Sequence, residues 1–276
     1  MRVAYCLYGR SSGEVEKYGG LPIGFKKGYE SFRKHFFNVN DDVDVFIHTW
    51  GNNYEKEIKD FYKPVKSIFE KQIVFDRPGF FSNFFYKNSK HLNKKPFYRQ
   101  NTISRWYSTK KVVDLKKQYE KEMCFRYDCV FLTRFDVVFF TDIIFKEFDM
   151  NNFYVGDCFS LFNPDGDKLP ISIYYYAERN ININRYHKEK GDYTPNGDNG
   201  IVDYWFFSGS KIMDSFSELY DFLNDYFDKR LLSNHDLSLY HLRRLKDYGI
   251  LANIVPIFYD YEDYSLVRRK YIGSIR

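Results

Sequence analysis

An alternation of short apolar runs with helical segments in the first half of the chain leaves few possible folds. Val3–Tyr8 is an apolar run that ends at Gly9, and Val43–His48 and Ser67–Phe75 are similar runs. Between the first two runs, Phe25–Phe37 has aromatic residues spaced for one face of a helix. Strands that alternate with helices predict an α/β fold with a mostly parallel central sheet and helices on both faces.

Two later segments interrupt this alternation. Residues 76–101 contain Pro78, Gly79 and Pro96 among aromatic and basic residues, which predicts an irregular excursion that helps to hold an acceptor or a membrane surface. A long helix is predicted over Ser104–Glu122.

Length and charge narrow the class of protein. A chain of 276 residues fits one domain with a core of its own. Its net charge is +5, from 42 Lys and Arg against 37 Asp and Glu, and the two signs are mostly interspersed. A small positive excess favours an anionic ligand, such as a nucleotide or a membrane surface. Nucleic-acid-binding proteins carry a more concentrated basic patch, so we expect no nucleic-acid partner.

The apolar runs are too short for a membrane protein. No stretch reaches the roughly 18 uncharged apolar residues of a membrane span. The apolar stretch near Met1 is also shorter than the core of a signal peptide. We therefore expect a cytoplasmic protein, with peripheral contact at the inner face of the membrane.

A polar interruption in the most apolar run of the chain is the strongest candidate for a functional site. Arg134 and Asp136 lie within Cys129–Phe140. A buried strand accommodates such charges only where they are paired or solvated. Either the two residues form an internal ion pair, or the strand ends there in a ligand crevice, where parallel sheets bind ligands. In the crevice, which we favour, Asp136 would hold a divalent cation or a ribose, and Arg134 would neutralise a diphosphate.

Residues that follow the first two apolar runs are further candidates for binding a donor molecule. Gly9 permits a close approach of the backbone to a ligand, and Arg10 can bind a phosphate through paired hydrogen bonds. His48 and Trp50 follow the second run. Trp50 can stack on a base or a sugar. A core position for Trp50 and a structural role for His48 are the alternatives.

Asp203 stands just before another apolar run, Tyr204–Ser208. A carboxylate at the margin of a strand is a candidate general base for an acceptor hydroxyl. Capping of a loop is the alternative for the same residue.

Together these motifs resemble those of glycosyltransferases from bacterial capsule and lipopolysaccharide gene clusters, which have relatives in large algal viruses. The resemblance rests on four segments: Gly9-Arg10, Val43–Gly51, Tyr127–Asp136 and Asp203–Gly209. It covers most of the chain, with gaps at 11–25 and 76–101.

The resemblance implies a GT-A-type fold, with a nucleotide-sugar-binding half over about residues 1–142 and a smaller acceptor half over about 143–276. It implies transfer of a sugar from a nucleotide-sugar to a hydroxyl of an oligosaccharide or lipid-linked acceptor. Enzymes of that fold often hold Mg²⁺ or Mn²⁺ with an Asp-x-Asp motif. The matching triplet here begins with Arg134, which leaves Asp136 as its one metal ligand and puts metal dependence in question. The same resemblance makes Asp203 the expected base and Arg134 a catalytic cation.

Two other functions remain as alternatives. Another nucleotide-dependent transferase that decorates polysaccharide would use the same Arg–Asp crevice. A non-catalytic protein that binds polysaccharide or nucleic acid would use residues 80–100, where aromatic side chains alternate with basic ones. The sugar transferase is the interpretation that we favour.

Overall fold

The computed structural model describes residues 1–13, 23–51, 53–75, 95–157, 161–162, 184–185, 201–229, 231, 233–259 and 263–267. Residues 76–94, which make up most of the predicted excursion, lie outside the described residues.

A seven-stranded sheet forms the centre of the described fold. Its strands, in chain order, are β1 (Arg2–Arg10), β2 (Asp42–Trp50), β3 (Lys66–Glu70), β4 (Cys129–Arg134), β5 (Phe153–Asp157), β6 (Trp205–Ser208) and β7 (Ile254–Tyr259). Across the sheet they lie in the order β3-β2-β1-β4-β6-β5-β7. Neighbouring strands are parallel except at β6, which runs antiparallel to both β4 and β5. The predicted α/β class with a mostly parallel sheet is confirmed, and it is consistent with a GT-A-type fold.

Helices cover both faces of this sheet. They are α1 (Phe25–Phe32), α2 (Glu55–Tyr62), α3 (Lys95–Glu122), α4 (Ser210–Ser217), α5 (Leu223–Asp228) and α6 (Asn234–Asp247). A π-helical turn at Arg33–Phe37 continues α1, and short 3₁₀ helices lie at Phe145–Glu147 and Glu218–Phe222. Among the described residues, no helix is both long and apolar enough to cross a membrane.

Three small ribbons flank the sheet. They pair Ser12–Gly13 with Ile23–Gly24, Val137–Phe139 with Tyr264–Leu266, and Leu161–Phe162 with Asn184–Arg185.

The long helix α3 begins at Lys95, earlier than the sequence pattern indicated. Residues 95–101, expected to be irregular, are helical. A proline is compatible with this start because Pro96 lies in the first turn, where a backbone N–H would have no intrahelical partner.

The unbroken apolar run of β1 reflects its burial on both faces of the sheet. Each residue of Val3–Tyr8 is at most 1% exposed. Its odd-numbered residues pack in the core on the side of α1, and its even-numbered residues pack in the core on the side of α3. Successive side chains of a strand point to opposite faces, so a central strand with both faces covered is apolar throughout.

The strand order reverses between β1 and β4, and we call the region at the carboxyl ends of these two strands the crevice. From β1 the chain moves outward to β2 and β3, and it then crosses back to β4 on the other side of β1. Open parallel sheets bind ligands at such a reversal, outside the carboxyl ends of the strands. Because β6 is antiparallel to β4, the residues that precede it lie at this same edge. The fold thus brings Gly9, Arg134 and Asp203 to one edge.

A close approach of α1 fixes the turn that follows β4. The ring of Phe135 is fully buried and meets Tyr62 edge-on, with 5.9 Å between the ring centroids. A Cβ atom at Gly28 would lie 2.2 Å from the Phe135 carbonyl oxygen. The carbonyl of Asp136 accepts a hydrogen bond from the Val267 N–H at 2.8 Å. This turn is therefore held from three sides.

We expect Gly28→Ala to lower the free energy of unfolding by about 1–3 kcal/mol, because overpacking a well-filled site costs roughly that much. In a helix with free space at the glycine, the same change raises the free energy of unfolding by about 1 kcal/mol. A decrease would therefore indicate that Gly28 lies close to the Phe135 carbonyl. Urea denaturation measures it, with Lys27→Ala on the exposed side of α1 as the control. A Gly28→Ala protein as stable as the wild type would contradict the packing described here.

Candidate functional site

Two arginine–aspartate pairs lie at the crevice. Arg134, the last residue of β4, donates from Nε to Asp136 Oδ1 at 2.8 Å and from Nη2 to Oδ2 at 2.6 Å. Arg105 of α3 places Nε 3.2 Å from Asp203 Oδ2 and donates from Nη2 to the Asp203 carbonyl at 2.7 Å. The arginine side chains are 20% and 9% exposed, and those of Asp136 and Asp203 are 3% and 8% exposed. Both pairs are therefore largely shielded from water.

Tyr8 of β1 bonds to both members of the Arg105–Asp203 pair. Its hydroxyl accepts from Arg105 Nη2 at 2.9 Å and donates to the Asp203 carbonyl at 3.2 Å. In the sheet, Tyr8 is the register partner of Arg134. Burial raises the pKa of Tyr8, and the nearby Arg105 only partly opposes this. Its hydroxyl therefore stays protonated at neutral pH and links Arg105 to the backbone of Asp203 beside the end of β1.

One member of each pair, Asp203 and Arg134, is held in its charged form. Burial acts to raise the pKa of Asp203, but the charges of Arg105, His235 and Arg134 more than offset it and hold that pKa below its ordinary value. Burial acts to lower the pKa of Arg134, and Asp136 outweighs it, so this pKa is raised. The four charges nearly cancel one another. The site is a paired, fixed set of charges whose groups are already oriented before a ligand arrives.

His235 extends this set toward solvent. It lies near the start of α6, whose N-cap is the Ser233 side chain. Its Nδ1 atom lies 2.6 Å from the Ile201 carbonyl oxygen and 3.7 Å from Asp203 Oδ1. The imidazole is 46% exposed. His235 is therefore the accessible member of a site whose carboxylates are buried.

A separate chain of hydrogen bonds ties the end of β1 to β2 and β3. The Gly9 N–H donates to Ser108 Oγ at 2.8 Å, and this oxygen lies 2.7 Å from His48 Nδ1. His48 Nε2 lies 2.7 Å from Glu70 Oε1. Burial lowers the pKa of His48, and Glu70 offsets this in part. The placement supports a structural role for His48, one of the two roles that the sequence left open.

Gly9 has a backbone conformation that favours glycine. Its φ angle is +93°, in the left-handed region that favours glycine. A ligand at this edge would meet backbone rather than a side chain, although the N–H of Gly9 is already used by Ser108.

Trp50 and Arg10 differ in their availability to a ligand. Trp50 is 6% exposed, and its ring stacks on Tyr107 with 5.4 Å between centroids and 21° between planes. His48 meets the same indole edge-on at 5.0 Å. This packing favours the core position for Trp50. Arg10, its register partner on β1, is exposed at the edge and available to an anion.

The carboxylates of the site do not offer a set of metal ligands. Both oxygens of Asp136 accept hydrogen bonds from Arg134, and a guanidinium this close repels a cation. Within the described ranges, no group of three or more His, Cys, Asp or Glu side chains is placed to hold a metal ion. The residues present therefore do not fit the Mg²⁺ or Mn²⁺ site suggested at Asp136.

Sequence reasoning missed Arg105, Ser108 and His235. Arg105 lies in a helix beside the buried Trp106, and its guanidinium carbon lies 4.1 Å from the centre of that ring. A basic residue next to a large buried aromatic residue is a weak sequence signal that the basic residue is itself buried. Nothing in the local pattern around Ser108 or His235 points to the crevice, because their partners are distant in sequence.

A double-mutant cycle tests whether the Arg134–Asp136 pair acts as a buried ion pair. We expect Asp136→Asn to lower the free energy of unfolding by about 3–5 kcal/mol, since it leaves a guanidinium unpaired. Arg134→Met alone leaves an unpaired carboxylate, and the double variant should lose clearly less than the sum of the two losses.

The matched control for this cycle is the Arg2–Asp42 pair, which has a 3.2 Å contact and side chains that are 48% and 53% exposed. Such a surface pair should show a coupling of about 0.2–1 kcal/mol. Chemical denaturation measures both cycles. Equal couplings in the two pairs would mean that Arg134 and Asp136 are effectively solvated.

Comparisons with known proteins do not assign a role to the residues of this site. No protein-family profile matches the chain, and no curated protein matches it. Among solved structures, the chain is similar to the apo crystal structure of mouse xyloside xylosyltransferase 1. The match has a TM-score of 0.37 and 10% sequence identity, and it covers 93% of this chain and 84% of that one.

Proposed function

We propose that this chain is a glycosyltransferase that moves a sugar from a nucleotide-sugar donor to a hydroxyl of a surface polysaccharide acceptor, such as capsule or lipopolysaccharide. The observation that carries the proposal is the pair of buried Arg–Asp contacts at the crevice between β1 and β4. Arg134, Asp136 and Asp203 all lie in the segments whose sequence resembles glycosyltransferases. In this proposal residues 1–142 supply the main donor contacts, and residues 143–276 form the acceptor side.

Arg134 is suited to stabilise a leaving diphosphate. Two of its nitrogens bind Asp136, which fixes the plane of the guanidinium. The third nitrogen, Nη1, makes no hydrogen bond to the described residues, and the side chain is 20% exposed. Negative charge on a diphosphate grows as the bond to the sugar breaks. A cation fixed beforehand therefore stabilises the transition state more than the bound donor.

Asp136 contributes by orienting Arg134 in this proposal. Its carboxylate is almost fully buried and bound by the guanidinium. Replacing it would free the arginine to turn away from the donor. The metal and ribose roles considered for Asp136 would both require that it give up one of these hydrogen bonds.

The exposed Arg10 and the backbone at Gly9 would bind the donor on the other side of the crevice. Arg10 ends β1, and Arg134 ends the neighbouring β4. Two arginines beside one crevice fit a ligand with more than one negative charge, since guanidinium groups bind phosphate oxygens through paired hydrogen bonds. This supports a nucleoside diphosphate as the donor rather than a neutral sugar.

A panel of nucleotides tests the function directly. We expect at least one of UDP-glucose, UDP-galactose, UDP-N-acetylglucosamine, GDP-mannose and dTDP-rhamnose to raise the melting temperature, because a ligand at 100 times its Kd adds about 2.7 kcal/mol of stability. Differential scanning fluorimetry measures the shift, with ATP and CTP as donors of other transferases. Arg10→Ala should reduce the shift and Lys27→Ala should not. A shift with ATP or CTP alone would favour another nucleotide-dependent transferase, and a shift with polysaccharide alone would favour a binding protein.

Arg134→Ala should slow sugar transfer more than it weakens nucleotide binding. Loss of one preorganised charge-stabilising group lowers kcat by about 10²–10³, while we expect the nucleotide Kd to change much less. Steady-state kinetics with and without EDTA, alongside nucleotide titration and unfolding curves, separate catalysis from stability. Arg134→Lys, which keeps the charge without the paired hydrogen bonds, should lie in between. Wild-type turnover in Arg134→Ala, or a tightly held metal bound by two carboxylates, would show that Arg134 has another role.

A further inference from the structure

His235 is held in one orientation by two hydrogen bonds to the same residue. The Ile201 N–H donates to the His235 carbonyl at 3.2 Å, and the His235 ring places Nδ1 2.6 Å from the Ile201 carbonyl oxygen. The Ser233 side chain, which accepts from the Asp236 N–H at 3.1 Å, fixes the start of the helix around it. The ring is therefore positioned against the segment that leads into β6.

This geometry determines which ring nitrogen is basic. A carbonyl oxygen can only accept, so the neutral imidazole of His235 carries its proton on Nδ1. The lone pair is then on Nε2, which makes no hydrogen bond to the described residues, on a side chain that is 46% exposed. A histidine with one nitrogen held by an acceptor and the other open is arranged to take up a proton.

The Asp203 carboxylate lies close enough to His235 to stabilise the positive charge that the imidazole gains with a proton. Its Oδ1 atom is 3.7 Å from His235 Nδ1. Among the described residues, Asp203 is the charged group within 4 Å of this imidazole. Its other carboxylate oxygen, Oδ2, contacts Arg105. The carboxylate is 8% exposed, so its charge acts on His235 with little screening by water.

Asp203 itself is a poor general base. Arg105, His235 and Arg134 together hold its pKa below the ordinary value, against the opposing effect of burial. A general base works best with a pKa near the operating pH, and a more acidic carboxyl group has little affinity for a proton. Its burial also leaves little room for an acceptor hydroxyl to reach its oxygens.

We propose that His235 is the general base of sugar transfer and that the charge of Asp203 stabilises its protonated form. This inference rests on the glycosyltransferase function proposed above. The proton of the acceptor hydroxyl passes to Nε2 of His235, and the hydroxyl oxygen forms a bond to the anomeric carbon. The bond from that carbon to the diphosphate oxygen breaks, and its electron pair stays on the diphosphate. Attack from the face opposite the leaving group inverts the anomeric carbon.

His235→Gln is the first variant for the test. Glutamine retains a donor for the Ile201 carbonyl but has no basic nitrogen. With the sugar nucleotide from the panel that gives the largest thermal shift, and with octyl glucoside, octyl galactoside or water as acceptor, we expect turnover to fall by about 10²–10⁴. The thermal shift given by the nucleotide should be unchanged. His35→Gln is the matched control, because His35 is also paired with a carboxylate, with 2.7 Å between its Nδ1 and Asp142 Oδ1, but belongs to no part of the crevice.

Two further readouts separate a chemical role from a structural one. Added imidazole should restore turnover to His235→Ala, and NMR should show an inverted anomeric configuration in the product. Asp203→Asn should lower kcat more than it changes KM, because it removes the negative charge beside the imidazole, and Asp203→Glu should restore turnover in part.

The failures are distinguishable. Full turnover in His235→Gln, or a product of retained configuration, would overturn the assignment of the base and leave the transferase function standing. A wild-type protein that neither binds nor turns over any of the sugar nucleotides would overturn the function and the base with it.

Discussion

The bidentate contact between Arg134 and Asp136 governs the organisation of the crevice. A charge at the end of a buried strand is tolerated only when a partner offsets the loss of water, and here the partner is two residues away on the same turn. The turn can close in this way because Phe135 is anchored in the core and Gly28 lets α1 approach its carbonyl. The orientation of Arg134 therefore depends on the packing of Phe135 and Gly28 as well as on its ion pair with Asp136.

The second pair shows how a distant helix completes the same site. Arg105 comes from α3, and its partner Asp203 precedes the antiparallel strand β6. Tyr8, from the central strand between them, bonds to both residues. Because these groups come from three separate elements, their relative positions depend on the whole sheet being formed. Such a site keeps its charges oriented without a ligand, which is what transition-state stabilisation by fixed charges requires.

The local sequence pattern was informative about segments whose structure depends on side-chain burial alone. An unbroken apolar run such as Val3–Tyr8 fits a strand covered on both faces, and an arginine in the run of β4 has to lie at its end. The pattern could not place Arg105, because its contact with Asp203 spans 98 positions of sequence. It also favoured Trp50 as a ligand residue on the rule that carboxyl ends of parallel strands face ligands. The packing there favours a core position for Trp50 instead, because α3 crosses that end of the strand and Tyr107 stacks on the indole.

The course of α3 also explains why one part of the sheet edge is open and another is closed. Arg105 and Ser108 are three positions apart and so lie on one face of the helix. Ser108 bonds to Gly9 and His48, closing the edge over β1 and β2, while Arg105 reaches toward β6. The exposed groups that remain are Arg10 on one side and His235 on the other. In the glycosyltransferase that we propose, a donor bound between Arg10 and Arg134 would leave the side of β6 to the acceptor, next to the His235 imidazole.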